Sequence, residues 1–134
     1  MKILIIDDEA LVAMSLEFLL KLDGHVITGI ADDAAGAVGA ADRDPPDLAF
    51  VDIQLARGST GYEAAAALQG RGVMCFFLTG NVPVQPRPDL ALGCIQKPYS
   101  EEALQAAIRI AETRLGGGGG GGAAPEIPDE LILY

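Results

Sequence analysis

Four short apolar runs in this chain each stop abruptly at a polar group. Ile3-Leu4-Ile5-Ile6 ends in Asp7-Asp8, and Ala49-Phe50-Val51 ends in Asp52. Phe76-Phe77-Leu78 ends in Thr79, and Cys94-Ile95-Gln96 ends in Lys97. Runs this short and continuous read as strands buried on both faces, the mark of a parallel sheet. Ligands of such sheets bind at the carboxyl ends of the strands. The arrangement therefore predicts one sheet edge carrying three carboxylates, a hydroxyl and an ammonium.

The segments between these runs alternate with them. Lys2 to Ile6 reads as strand one, followed by a helix over Glu9 to Leu22 in which Leu11, Val12, Leu16, Leu19 and Leu20 recur near helical spacing. Asp23-Gly24 stops it. Strand two is Val26 to Ala31, and Ala34 to Ala41 is a weaker helix because of Gly36 and Gly39. Pro45-Pro46 leads into strand three, Leu48 to Asp52. Thr60 and Glu63 have the spacing of a capping box, opening a helix over Thr60 to Leu68. Strand four is Val73 to Thr79. Pro83, Pro86 and Pro88 then break the rhythm, since proline removes a backbone donor and disfavours helix at the residue before it. A loop with at most one helical turn is expected there. Strand five is Leu92 to Gln96, and Ser100 caps a last helix, Glu101 to Leu115. The pattern is (βα)5, which predicts an α/β, doubly wound, five-stranded parallel sheet with helices on both faces, the fourth helix short or disordered.

Seven consecutive glycines, 116–122, read as a flexible linker setting off a tail, 123–134. The tail is too short to bury a core of its own. Its apolar end, Leu131-Ile132-Leu133-Tyr134, suits a docking peptide, a disordered terminus or a piece of a longer chain.

No apolar stretch approaches the roughly 20 residues that span a bilayer, and the start lacks the pattern of a secretory signal, so a cytoplasmic address is expected and no membrane partner. The formal net charge is −10, with scattered basic residues. This disfavours direct nucleic-acid binding, which needs Lys and Arg to displace counterions, and favours protein partners. Cys75 and Cys94 lie in strand-like runs and read as buried thiols. With one histidine and no Cys-x-x-Cys, a zinc site has little support. His25 reads as an ordinary loop or surface histidine. Tyr99 reads as packing beside the last helix or meeting a partner.

Asp7, Asp8 and Asp52 would repel one another unless a hard divalent cation offset their charge, and Mg²⁺ accepts carboxylate, water and phosphate oxygens. Taken alone, Asp7-Asp8 could simply open the first helix. Asp52 at a second strand end weakens that alternative. A hydroxyl at Thr79 and an ammonium at Lys97 are groups that stabilise an incoming phosphoryl group. Each has an ordinary explanation by itself, as a strand-end hydroxyl or a solvated lysine. Their placement on successive strand ends of the acidic edge gives both a chemical one.

The order Asp7-Asp8, Asp52, Thr79, Lys97-Pro98, with these intervals, resembles the receiver domain of two-component response regulators over residues 1–115. The resemblance implies a flavodoxin-like sheet in the order 2-1-3-4-5. It implies that Asp52 is a phosphoacceptor, taking a phosphoryl group from a sensor histidine kinase or histidine phosphotransferase, and that the chain is no enzyme beyond its own phosphorylation and dephosphorylation. It makes Asp8, Asp52 and the backbone carbonyl of Gln54 ligands of Mg²⁺, with Asp7 acting through a metal-bound water. Lys97, after which a cis proline bond is frequent in the family, would contact the acyl phosphate, and Thr79 would follow the phosphoryl oxygens. Output would run through a downstream protein partner.

Two departures stand out. Cys94 takes the place, three before the lysine, where most receivers carry a switching aromatic. The segment Cys75 to Asn81 resembles instead a Phe-x-Phe-Ala-Thr-Gly-Tyr signature of mostly single-domain receivers, with Leu78 for Ala and Asn81 for Tyr. With the prolines that follow, this suggests signalling by disorder-to-order across 80–91. The rival readings are a degenerate receiver that binds partners without phosphorylation and a haloacid-dehalogenase-type phosphatase. The latter carries a second Asp two residues after its nucleophile, where this chain has Gln54.

Overall fold

The computed structural model describes residues 1–80, 85–116 and 127–134. Its central sheet comprises β1 (Lys2–Ile6), β2 (Val26–Ala31), β3 (Leu48–Asp52), β4 (Met74–Thr79), β5 (Gly93–Gln96) and β6 (Leu131–Leu133), in the order β2-β1-β3-β4-β5-β6. The helices are α1 (Ala10–Leu22), α2 (Ala34–Arg43), α3 (Gly61–Gln69) and α4 (Glu101–Leu115).

Strands β1, β3 and β4 are continuous apolar runs because both of their faces are covered. Ile3, Ile5, Phe50 and Phe76 pack with α1 and α4 on one face. Leu4, Ile6, Val51 and Phe77 pack with α2 and α3 on the other. Helix starts follow local chemistry. The Thr60 hydroxyl accepts from the Glu63 N–H at 3.2 Å, and Ser100 accepts from the Ala103 N–H at 3.2 Å. The Asp33 carboxylate accepts from the Gly36 N–H at 2.7 Å and caps α2.

One expectation is corrected. The sheet is not five-stranded and all-parallel: β6 comes from the tail and pairs antiparallel with β5, Ile95 facing Leu131 and Gly93 facing Leu133. The tail is therefore ordered at 131–133, because β5 offers an unpaired edge and Leu131 finds a buried place beside Ile95 and Ile108. The described residues hold four α-helices, in keeping with the loop of at most one helical turn expected after β4. In the crossover from β4 to β5 these show only a turn, in which Leu90 and Ala91 N–H groups donate to the Arg87 carbonyl. Near β5 the sheet face is covered instead by Tyr62, Leu90, Ala91 and Tyr134. Residues 81–84, within the segment expected to order on signalling and including Asn81 of the signature, lie outside the described residues. So do 117–122 of the glycine run and 123–126 of the tail.

Candidate phosphoryl and metal site

Register explains why distant residues meet. Ile6 pairs with Val51, so Asp7 follows β1 level with Asp52 at the end of β3. Asp52 pairs with Leu78, which places Thr79 one step further along β4, and Thr79 pairs with Gln96, which places Lys97 just past β5. The Lys97 N–H donates to the Thr79 carbonyl at 2.7 Å, closing the two strand ends together, and the Lys97–Pro98 bond is cis.

The Lys97 ammonium donates to Asp52 Oδ2 at 3.0 Å and to Asp7 Oδ2 at 3.3 Å. Glu9 Oε1 stands 4.0 Å away. The Asp7 side chain has no solvent exposure, and its Oδ1 accepts from the Glu9 N–H at 2.9 Å. Burial raises the Asp7 carboxyl above its ordinary range, against the opposing effects of that N–H and of Lys97. Burial alone would lower Lys97, but the Asp52 and Asp7 carboxylates outweigh it and hold the ammonium above its usual range. Lys97 is thus a fixed positive charge between two acids.

Asp7, Asp8, Glu9 and Asp52 each offer one carboxylate oxygen, all within 4.8 Å of one another, with Asp8 and Glu9 exposed and Asp7 and Asp52 buried. Hard oxygen donors so grouped suit Mg²⁺. Gln54 donates its N–H to Asp52 Oδ1 at 3.2 Å. It faces Thr60 in an isolated antiparallel bridge whose hydrogen bonds, Gly61 N–H to Ile53 carbonyl and Leu55 N–H to Ser59 carbonyl, engage its neighbours. The bridge therefore does not consume the Gln54 carbonyl. Thr79 is buried at the end of β4. All the residues singled out in the sequence reach this one edge. Glu9 was missed as a site residue. Its signal was its place at the end of the unbroken acidic run Asp7-Asp8-Glu9, of which Glu9 alone was read simply as the first residue of the helix.

Elsewhere, Tyr99 is half-buried against the α1–α4 side of the core and lines an open apolar groove with Leu11, Val12, Leu19 and Pro98. Cys75 and Cys94 are buried free thiols. His25 is not a bare surface residue: its Nδ1 accepts from the Met1 ammonium at 3.1 Å.

Residues 3–109 match the family model of the response regulator receiver domain. The chain belongs to that family. It is 38% identical over 112 residues to the phyllosphere-induced regulator PhyR of Methylorubrum extorquens, covering 80% of this chain and 42% of that protein. It is 31% identical over 118 residues to the transcriptional regulatory protein PdtaR of Mycobacterium tuberculosis, covering 84% and 57%. The chain spans about half the length of these curated relatives. Among solved structures, the receiver domain of Erythrobacter litoralis PhyR superposes with a TM-score of 0.73 at 33% identity, covering 83% of this chain and 88% of that one. The N-terminal domain of a three-domain response regulator from Carboxydothermus hydrogenoformans gives 0.78 at 26% identity, covering 88% and 98%. The receiver has a flavodoxin-like fold, here with a mixed six-stranded sheet. No helix among the described residues is long and apolar enough to cross a membrane.

Proposed function

We propose that this receiver is a phosphorylation-dependent switch in a two-component relay, with Asp52 as the phosphoacceptor. The observation that carries this reading is the contact of the Lys97 ammonium with both Asp52 and Asp7 beside a four-carboxylate cluster. A carboxylate oxygen of Asp52 attacks the phosphorus of a phosphohistidine on a sensor kinase or phosphotransfer protein. The P–N bond breaks, the imidazole leaves with its electron pair, and an acyl phosphate remains on Asp52. Asp8, Asp52 and the Gln54 carbonyl would hold Mg²⁺, and Asp7 would act through a bound water, with Glu9 as a further exposed carboxylate at the rim. When bound, the ion would supply charge neutralisation for the acids and the phosphoryl oxygens. Lys97 pairs with the transferred group, and Thr79 follows its oxygens. The new charge is read by a downstream protein partner.

The test is incubation with a small-molecule phosphodonor and Mg²⁺, followed by intact-mass measurement. The wild-type chain gains one phosphoryl group, and Asp52→Asn gains none. An unmodified wild-type chain that still bound its partner would establish the phosphorylation-independent alternative. Sustained turnover of a phosphomonoester would point to the phosphatase, which the Gln54 position argues against.

A further inference from the structure

The tail strand leaves an unusual imprint on β5. The three nearest heavy atoms to a Cβ built on Gly93 all belong to β6, the carbonyl oxygen and carbon of Ile132 and the Cα of Leu133, and the oxygen lies too close for a side chain. Gly93 is therefore a position where one backbone admits another. Main-chain bonds extend the pairing at both ends: the Gln96 N–H donates to the Glu130 carbonyl at 2.8 Å, and the Tyr134 N–H donates to the Leu92 carbonyl at 3.0 Å. Two side chains anchor the strand on opposite faces. Leu131 is buried among the α1–α4 core residues, and Tyr134 packs on the α2–α3 side beside Cys94. Tyr134 thus fills space over the place where receivers usually carry an aromatic of their own.

The attachment is also slight. The strand has three residues, and Ile132 and Leu133 remain more than 40% exposed. Among the described residues the buried Tyr134 hydroxyl meets no partner stronger than the Cys94 thiol beside it, and a thiol is a weak hydrogen-bonding group. A short, half-exposed strand held by backbone bonds and two side-chain anchors has the character of a bound peptide rather than of a permanent sheet member.

We propose that the edge of β5 is a peptide-strand site, occupied in cis by residues 131–134 and open, when they lift, to an extended apolar segment of a protein partner. The pattern it reads is an apolar residue at the first position, permissive second and third positions close to Gly93, and an aromatic at the fourth. Backbone pairing supplies affinity, and the two anchors supply selectivity. The proposal stands whether or not Asp52 is phosphorylated.

The test uses the full chain and a fluorescent synthetic peptide with the sequence of residues 127–134. In Leu131→Lys the cis strand loses its buried anchor and clears the edge, with retention of fold checked by circular dichroism; Tyr134→Ala serves if Leu131→Lys does not fold. The cleared chain binds the peptide saturably. The wild-type chain binds it at least about tenfold more weakly, because a tethered strand competes at an effective concentration on the order of millimolar. Adding Gly93→Ala to the cleared chain abolishes binding. Failure of the cleared chain to bind, equal binding to wild type, or binding indifferent to Gly93→Ala would each overturn the proposal.

Discussion

Lys97 Nζ lies 3.0 Å from Asp52 Oδ2, across 45 residues of sequence, and the same ammonium reaches Asp7 at 3.3 Å. One cation bridges two acids from different strands at the place where a third and a fourth carboxylate project outward. Most of the chemistry argued for this receiver depends on that bridge.

Replacing Lys97 by alanine leaves the buried Asp7 carboxylate facing Asp52 without its counter-charge. In metal-free buffer, Lys97→Ala is expected to lose about 1–3 kcal/mol of stability, the cost of stranding a buried charged group that has lost a hydrogen-bond partner. Urea unfolding monitored by circular dichroism checks this. An unchanged midpoint would show that the bridge contributes nothing to the fold.

Magnesium should stabilise the chain through the same carboxylates. At tenfold over its dissociation constant, an ion that binds only the folded state adds about 1.4 kcal/mol. Asp8→Ala is expected to lose this increment, and Glu9→Gln only part of it. Thermal melts with and without MgCl₂ read the difference. An Asp8→Ala variant stabilised as much as wild type would remove Asp8 from the ligand set.

Gly61 begins α3 directly beneath the site. A Cβ there meets the Asp52 carbonyl and the Ile53 Cα, backbone atoms that cannot swing aside. Gly61→Ala is expected to cost about 1–3 kcal/mol as an overpacking change and to slow phosphoryl uptake by displacing Asp52. Gly70→Ala is the control: its nearest neighbour is the Ala67 carbonyl at 3.5 Å, and it should be near neutral in both measurements.

His25 is the single histidine of the chain, so its titration can be followed without overlap. Burial, and then the Met1 ammonium at its Nδ1, lower the imidazole below its ordinary value of 6.5, against weaker pulls from Glu112 and Asp23. The neutral ring is the form the fold prefers. The contribution to stability is therefore complete above about pH 6.5 and is lost as pH falls through the folded midpoint. Proton NMR should give a midpoint below 6.5, and His25→Gln should flatten that part of the stability profile. A midpoint at or above 6.5 contradicts the contact.

The two cysteines should be silent in the native chain. Burial pushes the Cys75 thiol up to about 12, and Cys94, covered by Tyr134, is also raised by burial. Thiolate is the reactive form, so a disulfide reagent should label neither residue until urea is added and then label both. Native labelling of Cys94 alone would report lifting of the tail strand.

Four of the main strands, β1, β3, β4 and β5, were legible in the sequence because each is a short apolar run that stops at a polar group, although β4 and β5 begin one residue later than their runs suggested. The capping hydroxyls of Thr60 and Ser100 were equally legible, since a cap is a local contact with the third residue on. Asp7, Asp8, Asp52, Thr79 and Lys97 could be placed on one edge by parallel-sheet topology alone. Glu9 could not be separated from an ordinary acidic helix start, because its approach to Lys97 depends on how α1 leaves β1.

The residues by themselves determined a parallel core with an acidic carboxyl edge, because side-chain alternation, hydrophobic runs and caps act over a few residues. The tertiary structure alone decided the sixth strand and the seat of Tyr134. A tail of Leu-Ile-Leu-Tyr reads the same whether free or paired. Only the open edge of β5, the gap above Gly93 and the face left without a crossover helix among the described residues make the paired state the favourable one.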